Sequence, residues 1–155
     1  KYDERYPFIS QLLEKNPNII FDIYGYKNRQ PIWSEEFYNI IQLSKMGLNL
    51  SRTNSVKYYT SNRISSLIGN GLMTFMDIKT RLNDFFSDDE VIFYKNIEDL
   101  SEKLNYFKEN NQLRKKIAEN GQKKYFKFFN SGLIAKYIIY KSFETKSKDK
   151  FYWEK

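Results

Sequence analysis

Residues 61–75, SNRISSLIGNGLMTF, run from a polar start bearing Arg63 through a short apolar segment to Gly69-Asn70-Gly71, and then into LMTF. Ile64, Leu67 and Ile68 keep the three- and four-residue spacing of one helix face. Leu72–Asp77 instead reads as a short β-rich strand. The two glycines suit a left-handed helix end and a tight turn into that strand. Their spacing is neither GxGxxG nor a Walker loop, so neither dinucleotide nor P-loop chemistry is indicated.

The same alternation continues in both directions. Ile19–Tyr24, Met46–Ser51 and Val91–Tyr94 are further strand candidates, each bounded by Gly, Asn, Asp or Pro. Between them lie helix candidates centred on Phe8, Leu12 and Leu13, on Phe37, Ile40 and Ile41, and on Leu82, Phe85 and Phe86. Ile97, Leu100, Leu104 and Phe107 continue as a helix whose start at Asn96 offers a capping side chain followed by Glu98 and Asp99. Two more helices are expected at Leu113–Phe129 and Ser131–Thr145. Strands separated by helical crossovers pair in parallel, right-handedly, with both faces covered. The fold class expected is therefore α/β: a Rossmann-like, doubly wound parallel sheet with a helical C-terminal segment.

Composition narrows the chemistry. The chain has 155 residues, the size of one domain, and contains neither Cys nor His. Disulfides, thiolates, imidazole zinc sites and Ser-His or Cys-His nucleophile pairs are thereby excluded. No apolar run approaches a membrane span, and KYDERYPF is no signal peptide. Residues 1–110 hold 14 Lys/Arg against 15 Asp/Glu, whereas residues 111–155 hold 12 against 4. The surplus positive charge sits in the last third.

Doubly wound sheets bind ligands at the carboxyl ends of their strands, which directs attention to the loops Gly25–Pro31, Arg52–Asn62 and Asp77–Lys79. Thr60, Ser61 and Asn62 are N-cap residues, and the helix they open would turn free N–H groups toward an anion. Arg63 has the wrong charge for that first turn, and reads either as one half of an ordinary surface ion pair or as the counter-charge of a bound phosphate, which a guanidinium fork matches bidentately. Asp22-Ile-Tyr24-Gly25 ends a strand in a polar loop, either as a plain turn or as a ligand contact. Asp88-Asp89-Glu90 reads as a solvated turn, so no metal site is expected.

The order of YGY, SKMGLNLS, NRISSLIGNGLMTF, DFFSDDEVIFYKNIEDL and NNQLRKKIAENGQKKYFK resembles the C-terminal domain of GT-B glycosyltransferases. The likeness is nearest to the family-1-like group found in bacterial surface-polysaccharide and spore-coat proteins, and it covers about residues 5 to 140. It implies a nucleotide-sugar donor, such as a UDP-, GDP- or ADP-sugar, and no cofactor or metal. The donor diphosphate would lie at Thr60, Ser61, Asn62 and Arg63, and the nucleoside near Tyr24 and Gly25. Tyr58 and Ser66 stand eight positions apart where many relatives carry two glutamates that hold sugar and ribose. The resemblance also implies a strand and an acceptor-binding domain upstream of Lys1, the latter bringing the catalytic base, and a basic contact for which Arg5 is the candidate. Residues 1–146 would form the donor domain and 147–155 a frayed basic tail. The acceptor implied is a glycan or a lipid-linked sugar, in the cytoplasm or at the inner membrane face. Lysines and aromatics alternate on the last two helices, which suits either packing on the sheet or contact with anionic membrane. The alternative is a non-catalytic basic module for assembly or nucleic-acid binding, although no nucleic-acid motif is present and no such partner is expected.

Overall fold

The computed structural model describes residues 5–52, 56–144 and 150–154. Three parallel strands, β1 (Met46–Asn49), β2 (Met73–Asp77) and β3 (Ile92–Tyr94), pair in the order β1-β2-β3. Leu48 stands opposite Phe75, and Asp77 opposite Tyr94. The helices are α1 (Arg5–Lys15), α2 (Ser34–Leu43), α3 (Arg63–Gly69), α4 (Ile97–Glu109), α5 (Asn111–Phe128) and α6 (Ser131–Ser142). This is the α/β arrangement expected, with apolar layers on both faces of the sheet.

Strand side chains alternate between faces, so each strand feeds two cores. Met73, Phe75, Ile92 and Tyr94 pack with Leu12 of α1, Leu100, Leu104 and Phe107 of α4 and Ile117 of α5. Met76, Val91 and Phe93 pack on the other side with Ile68, Leu82, Phe85 and Phe86. Because both faces are covered, β2 is buried along its whole length and reads as an apolar run rather than an alternating one.

The structure departs from the sequence reading in four places. Ile19–Tyr24 forms no strand; it is followed by a turn closed by the isolated Tyr26–Arg29 bridge, and among the described residues no strand runs beside it. A β-rich run without a ladder partner has no reason to be a strand. Leu82–Phe86 forms no α-helix either, because Arg81 adopts φ 60° and separates two short 3-10 turns, Ile78–Thr80 and Leu82–Asp84. Helix α6 ends at Ser142, with Thr145 outside the described residues. At the C-terminus, residues 147–149 and 155 also lie outside them, but Phe151 is buried, Tyr152 stacks on Phe128 at 4.4 Å and Trp153 stacks on Phe129 at 5.9 Å. Aromatic packing holds residues 151–153, which lie within the stretch expected to fray as a chain terminus.

The exit of α3 follows the expectation for Gly71 more closely than for Gly69. Gly71 has φ 76° and donates to the Ile68 carbonyl, while Leu72 donates to that of Leu67, the paired bonds of a Schellman ending. Gln122 of α5 donates to the Gly69 carbonyl at 2.8 Å and secures the same end. One residue earlier on α5, a methyl group at Gly121 would lie 2.3 Å from the Glu90 carbonyl oxygen. A methyl group at Gly69 would meet nothing within 4 Å. Gly121→Ala is therefore expected to lower stability by about 1–3 kcal/mol through overpacking, and Gly69→Ala to raise it by up to about 1 kcal/mol. Urea melts of both variants check the contrast, and equal effects would contradict it.

Candidate functional site

Parallel strands end at one edge, and here that edge carries polar side chains in place of the apolar interior. Asn49 closes β1, Asp77 closes β2 and Tyr94 closes β3. Asn49 Nδ2 donates to Thr60 Oγ1 at 2.8 Å, tying the incoming loop to the sheet. Asp77 accepts from the Lys79 backbone N–H at 2.8 Å, and Thr80 Oγ1 donates to the Asp77 carbonyl at 2.7 Å. These bonds fold the chain sharply over the strand end. Asn49 Oδ1, Ser51 Oγ, Ser61 Oγ and Tyr94 OH are buried without a hydrogen-bond partner among the described residues. A buried, unmade hydrogen bond costs about 1–3 kcal/mol, so four beside one sheet edge mark it as a place where polar atoms await a partner. Burial, and secondarily the neighbouring Asp77 carboxylate, push the Tyr94 hydroxyl pKa up, so it stays protonated and able to donate.

Arg63 is the cation of this edge. It opens α3, lies partly buried, and donates from Nη1 to the Leu50 carbonyl at 3.1 Å, just past the end of β1. Its pKa is lowered first by burial and then by the like charge of Arg5. Arg5 opens α1, so the packing of α1 on the sheet brings two guanidinium groups from distant parts of the chain into electrostatic range. The neighbouring Tyr6 reaches the other candidate loop, donating to the Gly25 carbonyl at 3.4 Å. Gly25 has φ 69° and its N–H bonds to the Arg29 carbonyl at 3.0 Å, while Arg29 lies over the Tyr24 ring at 4.5 Å. The N-terminal turn of α1 thus links the Tyr24–Gly25 turn to the Arg63 region.

The remaining residues singled out from sequence have local duties. Thr60 does not cap α3; its hydroxyl accepts from Asn49 and donates to the Ser61 carbonyl at 3.3 Å. Asn62 precedes the helix in helical conformation without a side-chain cap, and its carbonyl accepts from Ser65. Helix α3 is only seven residues long, so side chains rather than its dipole supply the local field. Tyr58 adopts φ 64°, packs its ring at a tilt against Phe85 at 4.7 Å and donates its hydroxyl to Asp84 at 2.7 Å. Ser66 lies within α3, its carbonyl taken by Asn70 at 2.7 Å. Residues 53–55 of the Arg52–Asn62 loop lie outside the described residues. Sequence reasoning pointed to the Asp77–Lys79 loop but did not single out Asn49, Ser51 and Tyr94; the available signal was a polar residue closing each apolar strand.

No group of three His, Cys, Asp or Glu side chains among the described residues could hold a metal ion. Asp89 and Glu90 instead accept from Ser87, and Glu90 pairs with Lys124 at 2.7 Å, a structural use of that acidic turn. The family model of glycosyl transferase-like proteins matches residues 5–139. No curated protein and no solved structure matches the chain.

Tyr58 and Asp84 provide a test of the loop that leads into the site. The Tyr58 hydroxyl, ahead of Arg81 and Lys57, holds the Asp84 pKa below its ordinary 3.8. A carboxyl lowered in this way contributes stability above its unfolded pKa, and that contribution is lost as pH falls through the folded value. Tyr58→Phe is expected to move the Asp84 titration back toward 3.8, as followed by carboxyl chemical shifts in a pH series. An unchanged titration would assign the effect to the two cations.

Proposed function

The chain belongs to the glycosyl transferase-like family, and from that premise we propose that it is the donor-binding domain of a GT-B enzyme that transfers a sugar from a nucleotide-sugar to an acceptor. The observation that carries this reading is the placement of Arg63 at the carboxyl edge of the sheet, partly buried at the start of α3 with its Nη1 on the Leu50 carbonyl at 3.1 Å, in a chain whose family match covers residues 5–139. A guanidinium fork held there matches the oxygens of a diphosphate bidentately. The buried hydroxyls of Ser51 and Ser61 have no hydrogen-bond partner among the described residues, which suits donors meant for phosphate or sugar oxygens.

In this reading the donor diphosphate lies against Arg63, with Arg5 as the second cation and Ser61, Thr60 and Asn62 lining the approach. The nucleoside lies toward Tyr24 and Gly25, with Tyr58 and Ser66 at the sugar end. Cleavage of the anomeric C–O bond leaves negative charge on the departing β-phosphate, and guanidinium groups fixed before the reaction stabilise that charge without reorganising. The charge is met by arginine rather than by a metal ion. The acceptor is a bacterial surface glycan or a lipid-linked sugar, bound in the cytoplasm by an upstream domain that also contributes the catalytic base.

Calorimetric titration with UDP, GDP and ADP, against the matching nucleosides, tests the reading. A nucleoside diphosphate should bind and its nucleoside should bind far more weakly. Arg63→Ala should weaken diphosphate binding by about tenfold or more, the worth of a charge-assisted hydrogen bond. Arg63→Lys should recover only part of the loss. Absence of binding to all three diphosphates in a chain that includes the upstream domain would overturn the proposal.

A further inference from the structure

Trp33, Phe37 and Ile41 stand at i, i+4 and i+8, one stripe along α2. The Trp33 carbonyl accepts from the Phe37 N–H at 3.5 Å, so Trp33 sits one turn before Phe37. Burial fades along this stripe. Ile41 is 4% exposed in a cluster with Leu67 and Leu72, Phe37 is half-buried against that cluster, and Trp33 is 71% exposed. The cause is the length of the neighbouring helix. Both helices end at the amino edge of the sheet, α2 just before β1 and α3 just before β2. Ten residues carry α2 about 15 Å toward the carboxyl edge, whereas seven carry α3 only about 10 Å. The first turn of the stripe therefore runs past the start of α3, where Arg63 stands.

The surroundings of Trp33 do not account for an indole there. Lone exposed apolar side chains are common, but Trp33 is also the N-cap of α2 and supplies no side-chain hydrogen bond, as Ser, Thr, Asp or Asn would. Among the described residues no ring or cation packs on it. Ser34, the next residue, adopts φ 51°, a left-handed conformation uncommon outside glycine, and such strain gathers at ligand sites. Pro31 lies against Gly25, where a methyl group would meet the proline ring at 3.4 Å. The segment that carries the indole is thus seated on the Tyr24–Gly25 turn.

We propose that the Trp33 indole is the platform on which the base of the nucleotide stacks, an inference that rests on the reading of Arg63 as the diphosphate contact. Packed helices lie about 8–10 Å apart, so a ligand with its diphosphate at Arg63 reaches Trp33 across one ribose. The base is the planar aromatic group of a nucleotide-sugar, and every base offers a π-face to an indole. Neither the sugar nor the phosphates offer one.

Tryptophan emission reads this contact, because the chain has two tryptophans and the other, Trp153, is packed on Phe129. The full chain is titrated with UDP, GDP, ADP and inorganic pyrophosphate, by fluorescence and by calorimetry. A nucleoside diphosphate should quench the emission saturably, and pyrophosphate should not. Trp33→Phe should lose most of the quench and part of the affinity. Trp33→Ala should weaken nucleoside diphosphate binding by about tenfold or more, and leave pyrophosphate binding and the melting temperature unchanged. A merely structural role at the start of α2 would weaken both kinds of probe alike and lower the melting temperature, which overturns the proposal. Full-strength binding of the nucleoside diphosphates to Trp33→Ala overturns it as well. If pyrophosphate binds as tightly as they do, Trp33 alone fails; if none of the four probes binds, the Arg63 reading fails and Trp33 with it.

Discussion

The tightest of the glycine-dependent contacts lies where α5 meets the turn before β3, at Gly121. Any side chain there would collide with the Glu90 carbonyl, so the helix can sit at this depth only with glycine. From that depth α5 reaches several elements at once. Ile117 and Ala118 enter the core under β2 and α4, Gln122 holds the last turn of α3, and Lys124 closes on Glu90. Arg114 is buried with its guanidinium on the Phe107 carbonyl at 3.1 Å, satisfying the C-terminal end of α4 with a charge of the favourable sign. The run LRKKIAENGQ is thus one continuous clamp. It fixes α3 against the sheet, and α3 presents Arg63.

Much of this frame is legible in the sequence because it depends on local periodicity. The buried runs of β2 and β3 and the spacings of α4 and α5 identify their elements directly, and Asn96 caps α4 as its position suggests, accepting from the Asp99 backbone. Failures occur where the outcome is set by distant partners. Ile19–Tyr24 has the composition of a strand, but a strand exists only as one side of a ladder, and composition carries no information about its neighbour. Leu82, Phe85 and Phe86 have helical spacing and all three are buried, yet Arg81 turns left-handed before them and the chain makes tight turns instead. Spacing reports which side chains go inward; it does not report which backbone delivers them.

The site is legible to a different degree for the same reason. Arg63 stands out as a misplaced charge in a helix start, a purely local signal. Its surroundings are not local: the like charge of Arg5 reaches it from α1, which packs over Tyr94 through Phe8, whose rings lie 6.1 Å apart. Asn49 and Ser51 look in sequence like ordinary polar residues at a strand end. Their significance comes from being buried with unsatisfied atoms, a property of the assembled edge. Thr60 shows the reverse case, a good capping residue diverted to the side chain of Asn49.

These observations share one physical pattern. The interior of the sheet is fully satisfied: strands pair, helix ends find Gln122, Asn96 or Arg114, and the acidic turn finds Lys124. Strain and unmade bonds gather instead at the carboxyl edge, with a depressed guanidinium pKa, three orphaned oxygens on β1 and the loops beyond it, and one on β3. Such features lower the stability of the free protein and persist only where the surrounding structure over-determines them. The clamp formed by α5 provides that determination from the opposite side of the fold. A rigid scaffold holding an unsatisfied edge is the arrangement by which binding a ligand can recover free energy that folding left unclaimed.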